Sequence, residues 1–291
     1  FEPAVLVTAA ASLMVVRELW QLVIVFAVIG GSAAMIDVGG NTLLMWSQPV
    51  ERVGSSLNAL HLCFGVGALV TPLLVSRSIA WHGDLALVAG VLAIAMVVIW
   101  RLLRDLPVPQ RREPAPHHDH VDVSPRAFAL VCGFFFLYVG AEVTFAGWVA
   151  TYAEAIHLGG SQAPALLTST FFGGFTFGRI VAIAAVRRLS LPTMLIGTCA
   201  LATTVALGLA LAGGSVMVWG FTALFGFVMG PQFASMMAFG DQRLRLSGAS
   251  TSLIVASSGL GGLIPPVITG WVLDRNGADV MPWAVLVVCG L

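Results

Sequence analysis

The sequence predicts an all-α polytopic membrane protein of about ten spans. Three observations lead there: composition, a series of long apolar runs, and an internal repeat. The 291 residues are 58% hydrophobic and only 10% charged, with a mean hydropathy of +0.95. Soluble domains carry about 25% charged residues, so a soluble chain of this composition would lack a polar coat. Hydrocarbon offers no partner to a backbone N–H or C=O, and apolar runs of roughly 20 residues therefore cross it as helices.

The runs follow one another as Pro3–Val16, Leu22–Trp46, Leu57–Val75, Leu85–Leu103 and Ala127–Tyr152, then Ala165–Val186, Leu191–Ala212, Val216–Phe239, Ala249–Leu273 and Met281–Leu291. Phe1 rather than Met opens the chain and the tenth run stops in mid-span, so a chain truncated at both ends is expected. Every basic residue is Arg. With loops on alternating sides, one side receives eleven of them and the other only Arg17, Arg77 and Arg275. The arginine-rich side should be cytoplasmic. The long loop from Arg104 to Arg126 lies on that side, is rich in Pro, Arg and His, and reads as a linker between two bundles. His117, His118, Asp119 and His120 within it read as part of that solvated linker rather than as a metal site.

Residues Gly65-Val-Gly-Ala-Leu-Val-Thr-Pro72 match Gly259-Leu-Gly-Gly-Leu-Ile-Pro-Pro266 at an offset of 194, which also lays Asp37–Asn41 over Pro231–Ser235. Parallel duplication of a six-helix half is the plan of one transporter architecture. On that plan, two helices preceding Phe1 are missing. Residues 1–103 form an N-terminal bundle without its first two helices, 104–126 the linker, and 127–291 a C-terminal bundle with its last helix cut short. Gly65, Gly67, Gly259 and Gly261 let helix backbones approach closely, and Pro72, Pro265 and Pro266 bend the helices that hold them.

Four stretches carry a family resemblance: Asp37-Val-Gly-Gly-Asn41, Asn58–Pro72, Val139–Tyr152 and Gly259–Pro266. With them the chain resembles the major facilitator superfamily, and within it the fucose permease-like branch of sugar:cation symporters. The resemblance implies two six-helix bundles around a central cavity, alternating access, and uptake of a monosaccharide with H+ or Na+. It implies no cofactor, a monomer, and a multi-pass protein of the plasma (inner) membrane. In proton-coupled members the acid of the fourth helix stands four residues before an Asn, a pattern that Asp37 and Asn41 match. The family's other coupling acid falls on a helix that this chain lacks.

Only Asp37 and Glu142 place carboxylates inside apolar runs. A charge at the bilayer centre costs about 2.5–3.5 kcal/mol even on lenient scales, so such residues face a wet cavity or a partner and mark ion or substrate paths. Asp37 and Asn41 project from one helix face, and Asp37 is the expected coupling site. His61 is a second coupling candidate, because an imidazole can relay protons. Asn41, Glu142, Trp148 and Gln232 are the expected substrate contacts; amides and carboxylates bind sugar hydroxyls, and an indole offers an apolar platform. Trp148 near a helix end also suits an interfacial anchor, as Tyr152 does. Arg179 is expected to serve a gate or a helix-end contact.

Several classes are excluded. The chain has no Lys and hence no phosphate-binding Gly-Lys-Ser/Thr loop. Neither HExxH nor GxSxG occurs. The four cysteines show no CxxC spacing, and a formal net charge of zero gives no footprint for nucleic acid. The chain therefore reads as a secondary transporter, not an enzyme. An exporter of drugs or other small molecules on the same fold is the alternative, against which Asp37, Asn41 and Gln232 argue.

Overall fold

The computed structural model describes residues 16–82, 124–160, 162–244 and 248–291, with isolated positions between them; the side chains of residues 71–82 are outside that set. Most of the first and fourth runs, the linker before residue 124 and its histidines, and the Pro72 side chain lie outside the described residues. Described residues form α1 (Leu19–Ser47), α2 (Val50–His82), α3 (Pro125–Ala155), α4 (Ala163–Ala185), α5 (Leu191–Ala210), α6 (Ser215–Met229), α7 (Gln232–Leu244), α8 (Gly248–Asn276) and, after a short 3-10 turn, α9 (Met281–Gly290). Seven segments among them are long and apolar enough to cross a membrane, with Ser215–Leu244 counted as one.

The helices begin and end where local chemistry dictates. Pro125 and Pro192 sit in first turns, where a missing N–H costs nothing, and Ser190 caps α5 by accepting from the Thr193 N–H at 3.3 Å. The turn between α3 and α4 needs left-handed backbone at His157, Gly159 and Gly160. Two glycines supply most of it without a Cβ penalty.

Contacts divide the chain into two compact units, Phe1–Ser47 with Val70–Glu113, and Gln48–Leu69 with Pro114–Leu291. In the first, α1 is polarised the reverse of a soluble helix. Its buried residues are Ser32, Asn41, Thr42 and Met45, while Val23, Ile24, Phe26, Met35 and Ile36 are exposed. That inversion is what lipid as solvent requires: apolar side chains outward, polar ones held within the protein.

Two glycine seams build the second unit. Along α4 and α6, a Cβ on Gly174, Gly178, Gly226 or Gly230 would stand 2.0–2.2 Å from a main-chain oxygen of the other helix or its end. The partners ascend together in number, so the two helices run parallel. Along α3 and α8, Ser257 Oγ donates to Cys132 O at 2.7 Å. Gly261 packs on Phe136 O, Gly140 on Pro265, and Gly270 on the Trp148 ring. Small residues every four positions substitute here for the hydrophobic drive that lipid withholds.

One expected run is two helices. Val216–Phe239 is apolar throughout, yet α6 stops at Met229 and α7 starts at Gln232. Pro231 brings no N–H and Gly230 no side chain, so the ladder is interrupted between them.

Candidate functional site

In the first unit, Asn41 lies one turn beyond Asp37 and is fully buried. Its Nδ2 donates to Asp37 Oδ1 and to the Asp37 main-chain oxygen, each at 2.8 Å. The carboxylate is half-buried and is thus held by an amide within its own helix. This is the arrangement expected from the spacing.

The second unit assembles a different group around Arg179. Arg179 stands six residues before the last residue of α4 and is only 2% exposed. Its Nε donates to Gly230 O at 2.8 Å, the carbonyl at the interruption between α6 and α7. A terminal nitrogen donates to the main-chain oxygen of His61 in α2. The guanidinium lies 4.2 Å from the Phe175 ring centroid and 5.5 Å from that of Phe64. A buried guanidinium needs both hydrogen-bond acceptors and charge compensation. The two carbonyls supply the acceptors, and the faces of the Phe175 and Phe64 rings lie against the charge. Tyr138, one turn before Glu142 on α3, is buried, and its hydroxyl has no hydrogen-bond partner among the described residues.

His61 turns its ring to Phe233, 4.8 Å between centroids. Phe233 also meets Phe135 at 4.8 Å and Tyr138 at 6.1 Å. Next to it, Gln232 is buried and donates to Val228 O at 3.1 Å while accepting from Cys199 Sγ at 3.7 Å. Gln232 and Tyr138 border a cavity of about 400 Å³ whose other walls include Leu130, Phe134, Met229 and Val288. Buried oxygens without a hydrogen-bond partner recur on these helices, namely Asn58 Oδ1, Tyr138 Oη, Thr144 Oγ1, Thr222 Oγ1 and Ser235 Oγ. Orphaned buried polar atoms are rare in folded proteins and call for an explanation.

Trp148 does not join this group through its ring nitrogen. Nε1 donates to Pro266 O at 3.0 Å, and the ring covers Gly270. The indole fastens α3 to the proline-bearing part of α8. Tyr152 borders a separate cavity of about 560 Å³ with His157, Ser215 and Trp219. Of the repeat glycines, Gly65 and Gly261 make close contacts, Gly65 against Thr176 Oγ1, whereas Gly67 and Gly259 have nothing near. Repeat-equivalent positions therefore do different work. Tyr138 escaped the sequence reading, although its place four residues before Glu142 was the available signal.

A family model described as Major Facilitator Superfamily matches residues 3–291. The chain belongs to that superfamily. As a major facilitator chain it is an integral, multi-pass membrane protein. It is 25% identical over 308 residues to sodium-dependent glucose transporter 1 of Danio rerio, covering 89% of this chain and 50% of that protein. It is 27% identical to the Xenopus laevis protein of the same name, with 91% and 61% covered. The chain thus spans half to three-fifths of the length of these relatives. Among solved structures, the E. coli fucose:proton symporter FucP superposes with a TM-score of 0.74 at 16% identity, covering 99% of this chain and 80% of that one. A bacterial homologue of the iron transporter ferroportin, in its outward-facing state, gives 0.64 at 15% identity, with 99% and 77% covered. These likenesses establish the fold.

Proposed function

We propose that this chain is a transporter rather than an enzyme, and that it carries a monosaccharide across the plasma membrane by alternating access, driven by a proton or sodium gradient. The reading places two bundles, residues 1–103 and 127–291, around the sugar path, joined by a cytoplasmic linker at 104–126. The observation that carries it is the Asp37–Asn41 pair within a membrane span. An ionisable group in such a place is retained where it handles an ion or substrate. The Asn41 amide donates to one oxygen of the Asp37 carboxylate, and a carboxylate held in such a place is a group that can exchange a proton or a sodium ion. The named relatives, sodium-dependent glucose transporters and a fucose:proton symporter, support a sugar as the cargo. Glu142 and Gln232, with the orphaned hydroxyls near them, are proposed to meet sugar hydroxyls, since a hydroxyl both donates and accepts. His61 stays a proposed relay.

The test uses protein reconstituted in liposomes with labelled glucose and fucose. Uptake should rise under an imposed proton or sodium gradient, and Asp37→Asn should abolish that gradient dependence while sugar exchange at equal ion concentrations persists. Gradient-driven uptake that survives Asp37→Asn would remove Asp37 from coupling. Absence of uptake of either sugar by correctly inserted protein would overturn the cargo.

A further inference from the structure

We propose that Arg179 is a latch: its guanidinium ties the main chain of α2 at His61 to the α6–α7 interruption at Gly230, and transport requires this tie to be released and remade. The inference rests on the transporter reading and deepens it, naming a positioning residue rather than a substrate contact.

Three features of the geometry converge on this role. First, the guanidinium bridges two main chains that share no ladder of their own, since His61 and Gly230 lie on different helices. Arginine suits this because its rigid fork presents several donors in one plane. Second, both acceptors are carbonyls rather than carboxylates. Helix carbonyls are uncharged, so the bonds can be exchanged for others without stranding a charge on the acceptor. Third, α2 crosses α4 on small contacts at the same level. One turn from His61, Gly65 lies so close to Thr176 that a Cβ would stand 2.7 Å from Thr176 Oγ1. This close approach brings the α2 main chain within reach of a side chain on α4, so that the tie joins two backbones directly.

The experiment uses the full-length protein in lipid nanodiscs, with spin labels at Leu60 on α2 and Ile180 on α4, both exposed. Distances are recorded without sugar and without an ion gradient, so the result does not depend on the cargo. The unsubstituted protein should show a dominant distance. Arg179→Gln should shift the ratio of conformations by about tenfold, the scale of one lost charged hydrogen bond, and Arg179→Lys should do the same because an ammonium cannot fork between two main chains. If Arg179→Gln does not fold, Arg179→Lys carries the distance test. Wild-type distances in Arg179→Lys would overturn the latch. A latch that passes these tests in a protein that moves no sugar would leave the inference standing and remove only the sugar.

Discussion

Gly178→Ala should separate α4 from α6, and the size of the effect follows from the seam. A Cβ at residue 178 would stand 2.1 Å from Phe227 O and 2.9 Å from Phe227 C. Ordinary contact begins at 3.4 Å, so the neighbouring backbone must retreat by 1.3 Å. Both atoms belong to main chain, and no flexible side chain can absorb the shift. Gly226 would meet Phe171 O at 2.0 Å from the opposite side of the same seam. Overpacking of this kind costs about 1–3 kcal/mol or more. A neighbouring residue provides the control, because Gly173 has nothing within 4 Å of its would-be Cβ. Helix propensity alone favours Ala over Gly by about 0.5–1 kcal/mol. Thermal unfolding of detergent-purified protein should therefore place Gly178→Ala and Gly226→Ala well below the parent and Gly173→Ala at or above it. A Gly178→Ala midpoint equal to that of Gly173→Ala would refute the packing argument. Since Arg179 follows Gly178 directly, Gly178→Ala should also disturb the tie to Gly230 and reduce transport more than the loss of stability explains.

Other perturbations follow from the same contacts. Trp148→Phe keeps an aromatic ring but removes the donor to Pro266 O; unfolding should report a loss of about 0.5–1.5 kcal/mol, with sugar affinity unchanged in equilibrium binding. Ser257→Ala removes the Oγ bond to Cys132 O, and its cost should be near 0.6 kcal/mol, the average for interhelical bonds in membranes. Pro265→Ala restores a backbone donor aimed at Gly261 O, so α8 should become stiffer; the unfolding midpoint should hold while the rate of uptake falls. Gln232→Ala should weaken sugar binding in the reconstituted protein without loss of gradient dependence, as a substrate contact would and a coupling residue would not.

The spans were legible because hydropathy reports transfer into lipid directly. α1, α3, α4, α5 and α8 begin and end within a few residues of their apolar runs. The interruption at Gly230–Pro231 was not legible as a boundary, since hydropathy runs on unbroken through Val228, Met229 and Phe233. Only the Gly-Pro pair pointed to it. Asp37 and Asn41 were legible as a pair because both lie on one helix and the spacing alone fixes their contact. The partners of Arg179 were not legible for the opposite reason. An arginine late in a run ordinarily extends toward the interface, and its acceptors, His61 O and Gly230 O, are main-chain atoms far away in sequence. Trp148 likewise suited an interfacial anchor or a sugar platform, and only the fold brings Pro266 to its nitrogen. The repeat indicated which helices correspond, but not that Gly65 and Gly261, which are not equivalent positions, bear the close contacts.

Coupled sugar transport is tested most directly by running the cycle in reverse. Liposomes holding the protein and a concentrated monosaccharide are diluted into sugar-free buffer with no ion gradient, and external pH and labelled sodium are followed. Outward sugar flow should carry one of the two ions uphill with it, and that ion should not move in Asp37→Asn. Sugar efflux unaccompanied by proton or sodium movement would contradict the account, because it would make the protein a uniporter with Asp37 outside its transport chemistry.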